Sequence, residues 1–121
     1  MKIMIVEDDA LLALDLRGMC EDLGHQVLGL ARSADEADRA ASRLRPDVLL
    51  TDMELADSSD GVEVVHALRT RFPNLLVAFV TAVSDPAALA RIDAVRPDAI
   101  LNKPVTGERL ECALHRASRS P

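Results

Sequence analysis

The sequence predicts a doubly wound α/β domain, in which five parallel strands form one sheet with helices on both faces. Five short runs rich in Val, Ile and Leu alternate along the chain with five segments of helical periodicity. The apolar runs lack the alternation of polar and apolar residues that is typical of half-exposed strands, as expected for strands buried on both faces. Right-handed crossover connections between such strands give a three-layer sandwich.

The predicted strands share short lengths and a high content of branched aliphatic residues, which favour a buried sheet. They cover residues 2–6, 26–31, 47–52, 75–81 and 98–102.

The first two helices are predicted from apolar spacing and from signals at their ends. The first has an apolar face formed by Leu12, Leu16, Met19 and Leu23. Gly24 is expected to end it, because glycine adopts the left-handed backbone of a helix C-terminus without strain. Ser33, followed three residues later by Glu36, is a capping-box signature that predicts a helix over 33–44.

The other three helices are predicted from their apolar spacing. The third presents Val62, Val65, Leu68 and Phe72 and is closed by Pro73. The fourth, over 87–95, has the weakest pattern, because it is mostly alanine. The last presents Leu110, Leu114 and Ala117.

Length and composition predict one globular domain over residues 1–121, without an output domain. The 121 residues are 49% hydrophobic and 28% charged, and the formal net charge is −6. An acidic chain disfavours binding to nucleic acid or to anionic membranes. No apolar stretch is long enough for a membrane span or a signal peptide, so we expect a cytoplasmic protein.

The cysteine and aromatic counts bound the chemistry further. Cys20 and Cys112 have no metal-ligand spacing and are expected to be reduced, buried residues. The chain contains no Tyr and no Trp, so no mechanism here uses an aromatic hydroxyl.

Polar side chains follow four of the five predicted strands, at the edge where ligands bind in sheets of this type. They are Glu7, Asp8 and Asp9 after the first strand, Asp52 at the end of the third, Thr81 at the end of the fourth and Lys103 after the fifth. Taken one at a time, these residues have ordinary structural explanations. Asp8 or Asp9 would cap the first helix, Thr81 would be a loop residue and Lys103 a solvated charge. A carboxylate that ends a buried strand is costly unless it is paired or metal-bound.

The charges of this group indicate what it would bind. Glu7, Asp8 and Asp52 carry three negative charges, and Lys103 returns one positive charge. A hard divalent cation with oxygen ligands, such as Mg²⁺, would balance the site. A phosphoryl group on Asp52 would add negative charge, which Lys103, the Thr81 hydroxyl and nearby backbone N–H groups would stabilise.

Four motifs at these strand ends resemble those of the receiver domain of bacterial two-component response regulators, the chemotaxis regulator among them. They are Ile3-Met4-Ile5-Val6-Glu7-Asp8-Asp9, the strand over 47–52, Val80-Thr81-Ala82 and Asn102-Lys103-Pro104. The resemblance covers essentially the whole chain, and the four motifs in this order are specific although each alone is weak. It implies a flavodoxin-like (βα)5 sandwich with strand order 2-1-3-4-5.

The resemblance implies a role for each site residue. Asp52 would be the phosphoacceptor, Thr81 the hydroxyl that turns toward the phosphoryl oxygen, and Lys103 the cation that pairs with it. It also implies a cis peptide bond between Lys103 and Pro104.

A magnesium site is implied as well. Glu7 and Asp8 would hold Mg²⁺ directly or through water, together with Asp52 and the backbone carbonyl of Glu54. The remaining acid, Asp9, would be the more dispensable one.

Three departures from the family pattern affect what can be transferred. The loop over 53–61 has Ala56 in place of the usual proline and one residue more than usual, so we expect it to be solvated and mobile. Ile100 stands where many members have an aromatic residue that moves together with the threonine. Glu54 and Val83 occupy positions that tune dephosphorylation in the family.

The sequence therefore predicts a signalling receiver, not an enzyme with an external substrate. Its expected partners are a sensor histidine kinase or a phosphotransfer protein and an unknown downstream protein, with a homodimer as an open possibility. Two alternatives remain: a pseudo-receiver that acts by protein binding alone, and a haloacid-dehalogenase-type phosphatase, which also uses an Asp nucleophile with Mg²⁺.

Overall fold

The computed structural model describes residues 1–118 and shows the predicted three-layer sandwich. All strand pairs are parallel, and the sheet has the order β2-β1-β3-β4-β5. The elements are β1 (Lys2–Val6), α1 (Ala10–Asp22), β2 (Gln26–Ala31), α2 (Ala34–Ala41), β3 (Val48–Thr51), α3 (Gly61–Arg71), β4 (Leu76–Thr81), α4 (Pro86–Ala94), β5 (Ala99–Asn102) and α5 (Gly107–Ser118).

Two apolar cores cover the two faces of the sheet. Helices α2, α3 and α4 pack on one face through residues such as Ala37, Leu68 and Ile92. Helices α1 and α5 pack on the other face through residues such as Leu16 and Leu110. The central strands β1, β3 and β4 are therefore buried on both sides, as their continuous apolar sequences predict, whereas the edge strands β2 and β5 are partly exposed.

The helix ends follow the predicted signals with one difference. Gly24 has a φ of +88°, as a helix-ending glycine should, and the Ser33 side chain accepts a hydrogen bond from the Glu36 N–H at 3.1 Å. The predicted helix over 33–44 ends earlier, at Ala41. The N–H groups of Ser42 and Arg43 donate to carbonyls three residues back, and this tightened last turn replaces the α-helical pattern.

Helix α4 forms despite its weak apolar pattern. Asp85 caps it by accepting a hydrogen bond from the Ala88 N–H at 3.3 Å, and Pro86 is its first residue. Proline at that position fits the helix, because the first N–H has no partner in any case.

The cysteine prediction is half right. Cys20 is buried on α1, whereas Cys112 is exposed on α5. No helix within residues 1–118 is long and apolar enough to span a membrane.

Candidate functional site

Four strands bring the predicted site residues to one edge of the sheet. Glu7 follows β1, Asp52 follows β3, Thr81 ends β4 and Lys103 follows β5. Glu7 is 2% exposed, Asp52 is 8% exposed and Thr81 is fully buried. The structure thus places two carboxylates and a hydroxyl where water is scarce.

Lys103 joins the two buried carboxylates. Its Nζ lies 2.8 Å from Glu7 Oε1 and 2.7 Å from Asp52 Oδ2. The Lys103 backbone is positioned by a 3.0 Å hydrogen bond from its N–H to the Thr81 carbonyl. The Lys103–Pro104 peptide bond is cis, as predicted.

Burial and the neighbouring charges shift the pKa values of Glu7 and Lys103. Burial raises the pKa of Glu7 above its usual value, and the nearby Asp52 carboxylate adds to the rise against the lowering effect of Lys103. Burial alone would lower the pKa of Lys103, but hydrogen bonds and charge attraction from Asp52 and Glu7 hold it above its usual value. The site therefore favours a charged lysine and has more negative charge than one ammonium group balances.

The three acids that follow β1 have different roles. Asp9 caps α1, accepting hydrogen bonds from the N–H groups of Leu11 at 3.0 Å and Leu12 at 3.2 Å. The Asp9 N–H donates to Glu7 Oε2 at 3.0 Å. Asp8 and Asp9 are both exposed, but the side chain of Asp9 is engaged as the cap of α1, whereas that of Asp8 is not.

The structure does not bring the predicted metal ligands into one tight cluster. Within residues 1–118, no three Asp, Glu, His or Cys side chains form a ready-made metal site. Lys103 lies between two of the expected ligands, Glu7 and Asp52, and Asp8 stands apart in solvent. A cation here would have one or two carboxylate ligands and several waters, which is the coordination that Mg²⁺ commonly keeps.

The backbone of Asp52 is held tightly. Its N–H donates to the Val6 carbonyl at 3.0 Å, and its carbonyl accepts from the Thr51 hydroxyl at 2.8 Å. Its Oδ1 accepts from the Met53 N–H at 2.6 Å. One oxygen of the carboxylate is thus bound by backbone and the other by Lys103.

Gly61 is a positioning residue that sequence reasoning missed. A Cβ at this position would lie 2.3 Å from the Asp52 carbonyl oxygen and 2.7 Å from Phe79 Cε2. The Gly61 N–H donates to the Met53 carbonyl at 2.9 Å. Only a glycine permits this close approach, and the one available signal was its place directly after Asp60, the N-cap of α3.

Thr81 points toward the backbone of the β4–α4 loop. Its Oγ1 accepts a hydrogen bond from the Val83 N–H at 3.2 Å, and Asp52 is bonded to other groups. Ile100 pairs with Phe79 across the sheet and is 38% exposed. At the position where many family members have a mobile aromatic residue, this chain therefore has a partly exposed aliphatic side chain.

The loop over 53–61 is better fixed than its sequence predicts. Ser59 Oγ donates to the Ala56 carbonyl at 2.7 Å and accepts from the Ala34 N–H at 3.0 Å, which ties the loop to the start of α2. Asp57 and Ser58 form the exposed tip, with φ values of +59° and +58°. The backbones of Glu54 and Asp60 form a β-bridge through two hydrogen bonds, from the Gly61 N–H to the Met53 carbonyl and from the Leu55 N–H to the Ser59 carbonyl. Neither bond uses the Glu54 carbonyl.

Comparison with known proteins identifies the class of this chain. The profile of the response regulator receiver domain matches residues 3–115. The chain belongs to the response regulator receiver family, which consists of signalling domains, and this excludes the haloacid-dehalogenase alternative.

Particular relatives agree with this assignment. The phyllosphere-induced regulator PhyR of Methylorubrum extorquens is 44% identical over 82 residues, which cover 67% of this chain and 30% of that protein. The signal receiver domain of a modulated diguanylate cyclase from Desulfovibrio desulfuricans superimposes with a TM-score of 0.88 and 38% identity, over 96% of this chain and 91% of that one. The anti-anti-sigma factor PhyR of Bartonella quintana has a TM-score of 0.79 and 30% identity, over 97% of this chain and 46% of that one.

Proposed function

We propose that this chain is a phosphoacceptor receiver domain over residues 1–121, in which Asp52 accepts a phosphoryl group from a histidine kinase or a phosphotransfer protein. The observation that carries the proposal is the contact of Lys103 Nζ with both Asp52 and Glu7 at the buried sheet edge. An ion pair that only stabilises the fold needs one carboxylate. A phosphoryl-transfer site needs a nucleophilic carboxylate, at least one further carboxylate and a cation in contact with them.

The chemistry follows from the positions of these groups. The Asp52 carboxylate forms a new oxygen–phosphorus bond, and the phosphorus–nitrogen bond of the phosphohistidine donor breaks, leaving its electron pair on the imidazole. Lys103 stays near the developing negative charge, and Thr81 exchanges its bond to the Val83 N–H for one to the phosphoryl group. Water then attacks phosphorus, the bond between phosphorus and the Asp52 oxygen breaks, and inorganic phosphate leaves, which restores the carboxylate. The domain therefore acts only on its own phosphoryl group.

Mg²⁺ is the cofactor that the residues favour. When bound, it would neutralise negative charge on the phosphoryl oxygens. Asp8 is exposed beside Glu7, the pKa of Glu7 is raised by burial and by Asp52, and the Glu54 carbonyl is not used by its own bridge. We propose Glu7, Asp8, Asp52 and the Glu54 carbonyl as the groups that hold it, some of them directly and the others through water.

The phosphoryl donor needs an approach to this edge. Leu11 and Leu14, in the first half of α1, are 79% and 55% exposed and follow the site acids directly in the chain. We propose this exposed apolar surface at the start of α1 as the contact for the kinase or phosphotransfer protein. The other expected properties, a cytoplasmic location and a downstream protein partner, belong to the same proposal.

Labelling with acetyl phosphate in the presence of Mg²⁺ tests the proposal. Wild-type protein should acquire one acyl phosphate, labile in acid and in base, and Asp52→Asn should acquire none. Asp57→Asn, which changes an exposed acid in the loop after Asp52, is the matched control and should label as the wild type does. Equal labelling of Asp52→Asn would place the acceptor elsewhere.

A binding-only receiver is the second candidate, because the related PhyR of Bartonella quintana is described as an anti-anti-sigma factor. Such a module would bind its partner protein without a phosphoryl group. Absence of label on the wild type, with acetyl phosphate and a phosphorylated donor alike, would favour it over the phosphoacceptor.

A further inference from the structure

We propose that the ion pair between Asp60 and Arg91 links the Asp52 site to helix α4, so that a change at Asp52 alters the position of α4. The inference rests on the proposed function, since it concerns how a phosphoryl group on Asp52 is sensed elsewhere in the domain. It assigns to this pair the transmission that Ile100 cannot perform as an aromatic side chain would.

The first step of the link is the contact between the Asp52 and Gly61 backbones. Gly61 lies so close to the Asp52 carbonyl that a Cβ would be 2.3 Å from its oxygen. The Gly61 N–H also binds the Met53 carbonyl at 2.9 Å. Because packed atoms cannot overlap, a shift of the backbone at Asp52 and Met53 displaces Gly61 and its neighbour Asp60.

Asp60 is itself held at two points. Its Oδ1 accepts from the Glu63 N–H at 3.0 Å and caps α3, and its Oδ2 accepts from Arg91 Nη1 at 2.7 Å. Burial opposes ionisation of Asp60, but the bonds from Arg91 and Glu63 bring the pKa of this acid below its usual value. The carboxylate is therefore charged at neutral pH and fixed in orientation.

Helix α4 packs on the core through Ile92, with Ala88 and Leu89 partly buried beside it, and an ion pair adds to these contacts in fixing its position. Ile92 is the one buried residue within its span. Its C-terminal end is held by Arg69 of α3, which donates hydrogen bonds to the carbonyls of Val95 and Arg96. Arg91 makes the matching link to the opposite end of α3, because helical side chains lean toward the helix N-terminus.

The structure leaves room for movement between these parts. A cavity of about 330 Å³ separates the loop after Asp52 from α4. Its lining includes Met53, Leu55, Asp60, Val83, Ala88 and Arg91. Arg91 lies in the last turn of α4, so a displacement of Asp60 acts on this part of the helix, beside the open space.

Amide NMR spectra of the full chain, with and without beryllofluoride and Mg²⁺, test the link. In the wild type we expect shifts at Met53 and Lys103, which report on the site, and at residues 87–94, which report on α4. Arg91→Gln and Asp60→Asn should keep the site shifts and reduce the α4 shifts about twofold or more, as an exposed ion pair permits. Asparagine is chosen at position 60 because it still caps α3.

The double variant and a control separate the pair from general effects. Asp60→Asn combined with Arg91→Gln should reduce the α4 shifts no further than either single change, because both break one interaction. Arg39→Gln, which removes an exposed pair with Asp35 within α2, should leave the α4 shifts unchanged. Unaltered α4 shifts in Arg91→Gln or in Asp60→Asn, with normal site shifts, would overturn this inference alone. Wild-type spectra without any site shift would instead overturn the proposed function, and the inference with it.

Discussion

Lys103 supplies the positive charge that offsets the buried carboxylates at the sheet edge. Its ammonium group contacts Glu7 and Asp52, which are 2% and 8% exposed. Without it, two carboxylates would face each other in a poorly solvated place, and neither would have a compensating charge in this structure. The residue thus stabilises the fold as well as serving the proposed chemistry.

Replacement of Lys103 by methionine tests that charge balance. Loss of one partner of a buried ion pair is strongly destabilising, and with the lysine side chain 20% exposed we expect a loss of about 1–3 kcal/mol at neutral pH. Urea denaturation measures it. Lys2→Met, at the exposed start of β1, is the matched control and should change stability by about 0.5 kcal/mol or less.

The pH dependence of this variant has a definite sign. Burial and Asp52 already raise the pKa of Glu7, and removal of Lys103 raises it further. The folded variant therefore takes up a proton at a higher pH than the unfolded chain, so its deficit shrinks as the pH falls from about 7 toward 5. A deficit that is constant over this range would contradict the assignment.

At the scale of elements, the start of α3 and the end of β3 act as one unit. Gly61 is the first residue of α3 and touches the carbonyl of Asp52, which follows β3. The two elements can approach this closely only because the helix begins on a residue without a side chain.

Gly61→Ala is therefore expected to destabilise the domain by about 2–4 kcal/mol, because the new Cβ meets backbone that cannot move aside. It should also reduce labelling by acetyl phosphate, since Asp52 is displaced. Gly18→Ala is a matched control within α1, where a Cβ meets nothing within 4 Å. That change should stabilise the protein by about 0.5–1 kcal/mol. A Gly61→Ala variant as stable as the wild type would show that the close approach is not required.

The loop after Asp52 gives a second prediction at this scale. Ser59→Ala removes the bonds of the hydroxyl to Ala34 and Ala56 and leaves the Ala34 N–H without its partner. We expect a loss of about 1–2 kcal/mol, measured by urea denaturation, and faster hydrogen exchange at the Ala34 N–H. Ser58→Ala, at the exposed tip, should do neither. Equal behaviour of the two variants would mean that the loop is held by its backbone alone.

Element prediction from sequence works here where local signals are strong. Strand positions agree to within a residue at each end, because buried parallel strands carry an unbroken apolar signal. The tie between Ser59 and Ala34 was not predictable, because it joins residues 25 positions apart through one hydroxyl. The same holds for Gly61, whose importance depends on the distance to another strand.

For the whole molecule, the parallel sheet explains why the site could be predicted at all. Lys103 and Glu7 are 96 positions apart in sequence, and the common strand direction brings both to one edge. The residue types and the edge therefore follow from sequence. The residues alone do not tell which of Asp8 and Asp9 caps α1, because this depends on where the first turn of α1 begins, and only the family resemblance separated the two acids.

The response of global stability to Mg²⁺ tests the proposed division between these two acids. A cation that binds only the folded domain stabilises it by mass action, about 2.7 kcal/mol at one hundred times the dissociation constant. Wild type, Asp9→Asn and Lys103→Met should all gain stability with Mg²⁺ in urea denaturation, since asparagine at position 9 still caps α1. Asp8→Asn should gain much less, although its stability without Mg²⁺ should match the wild type because Asp8 is exposed. A full Mg²⁺ response in Asp8→Asn would remove Asp8 from the proposed ligands, and no response in the wild type would remove the magnesium site.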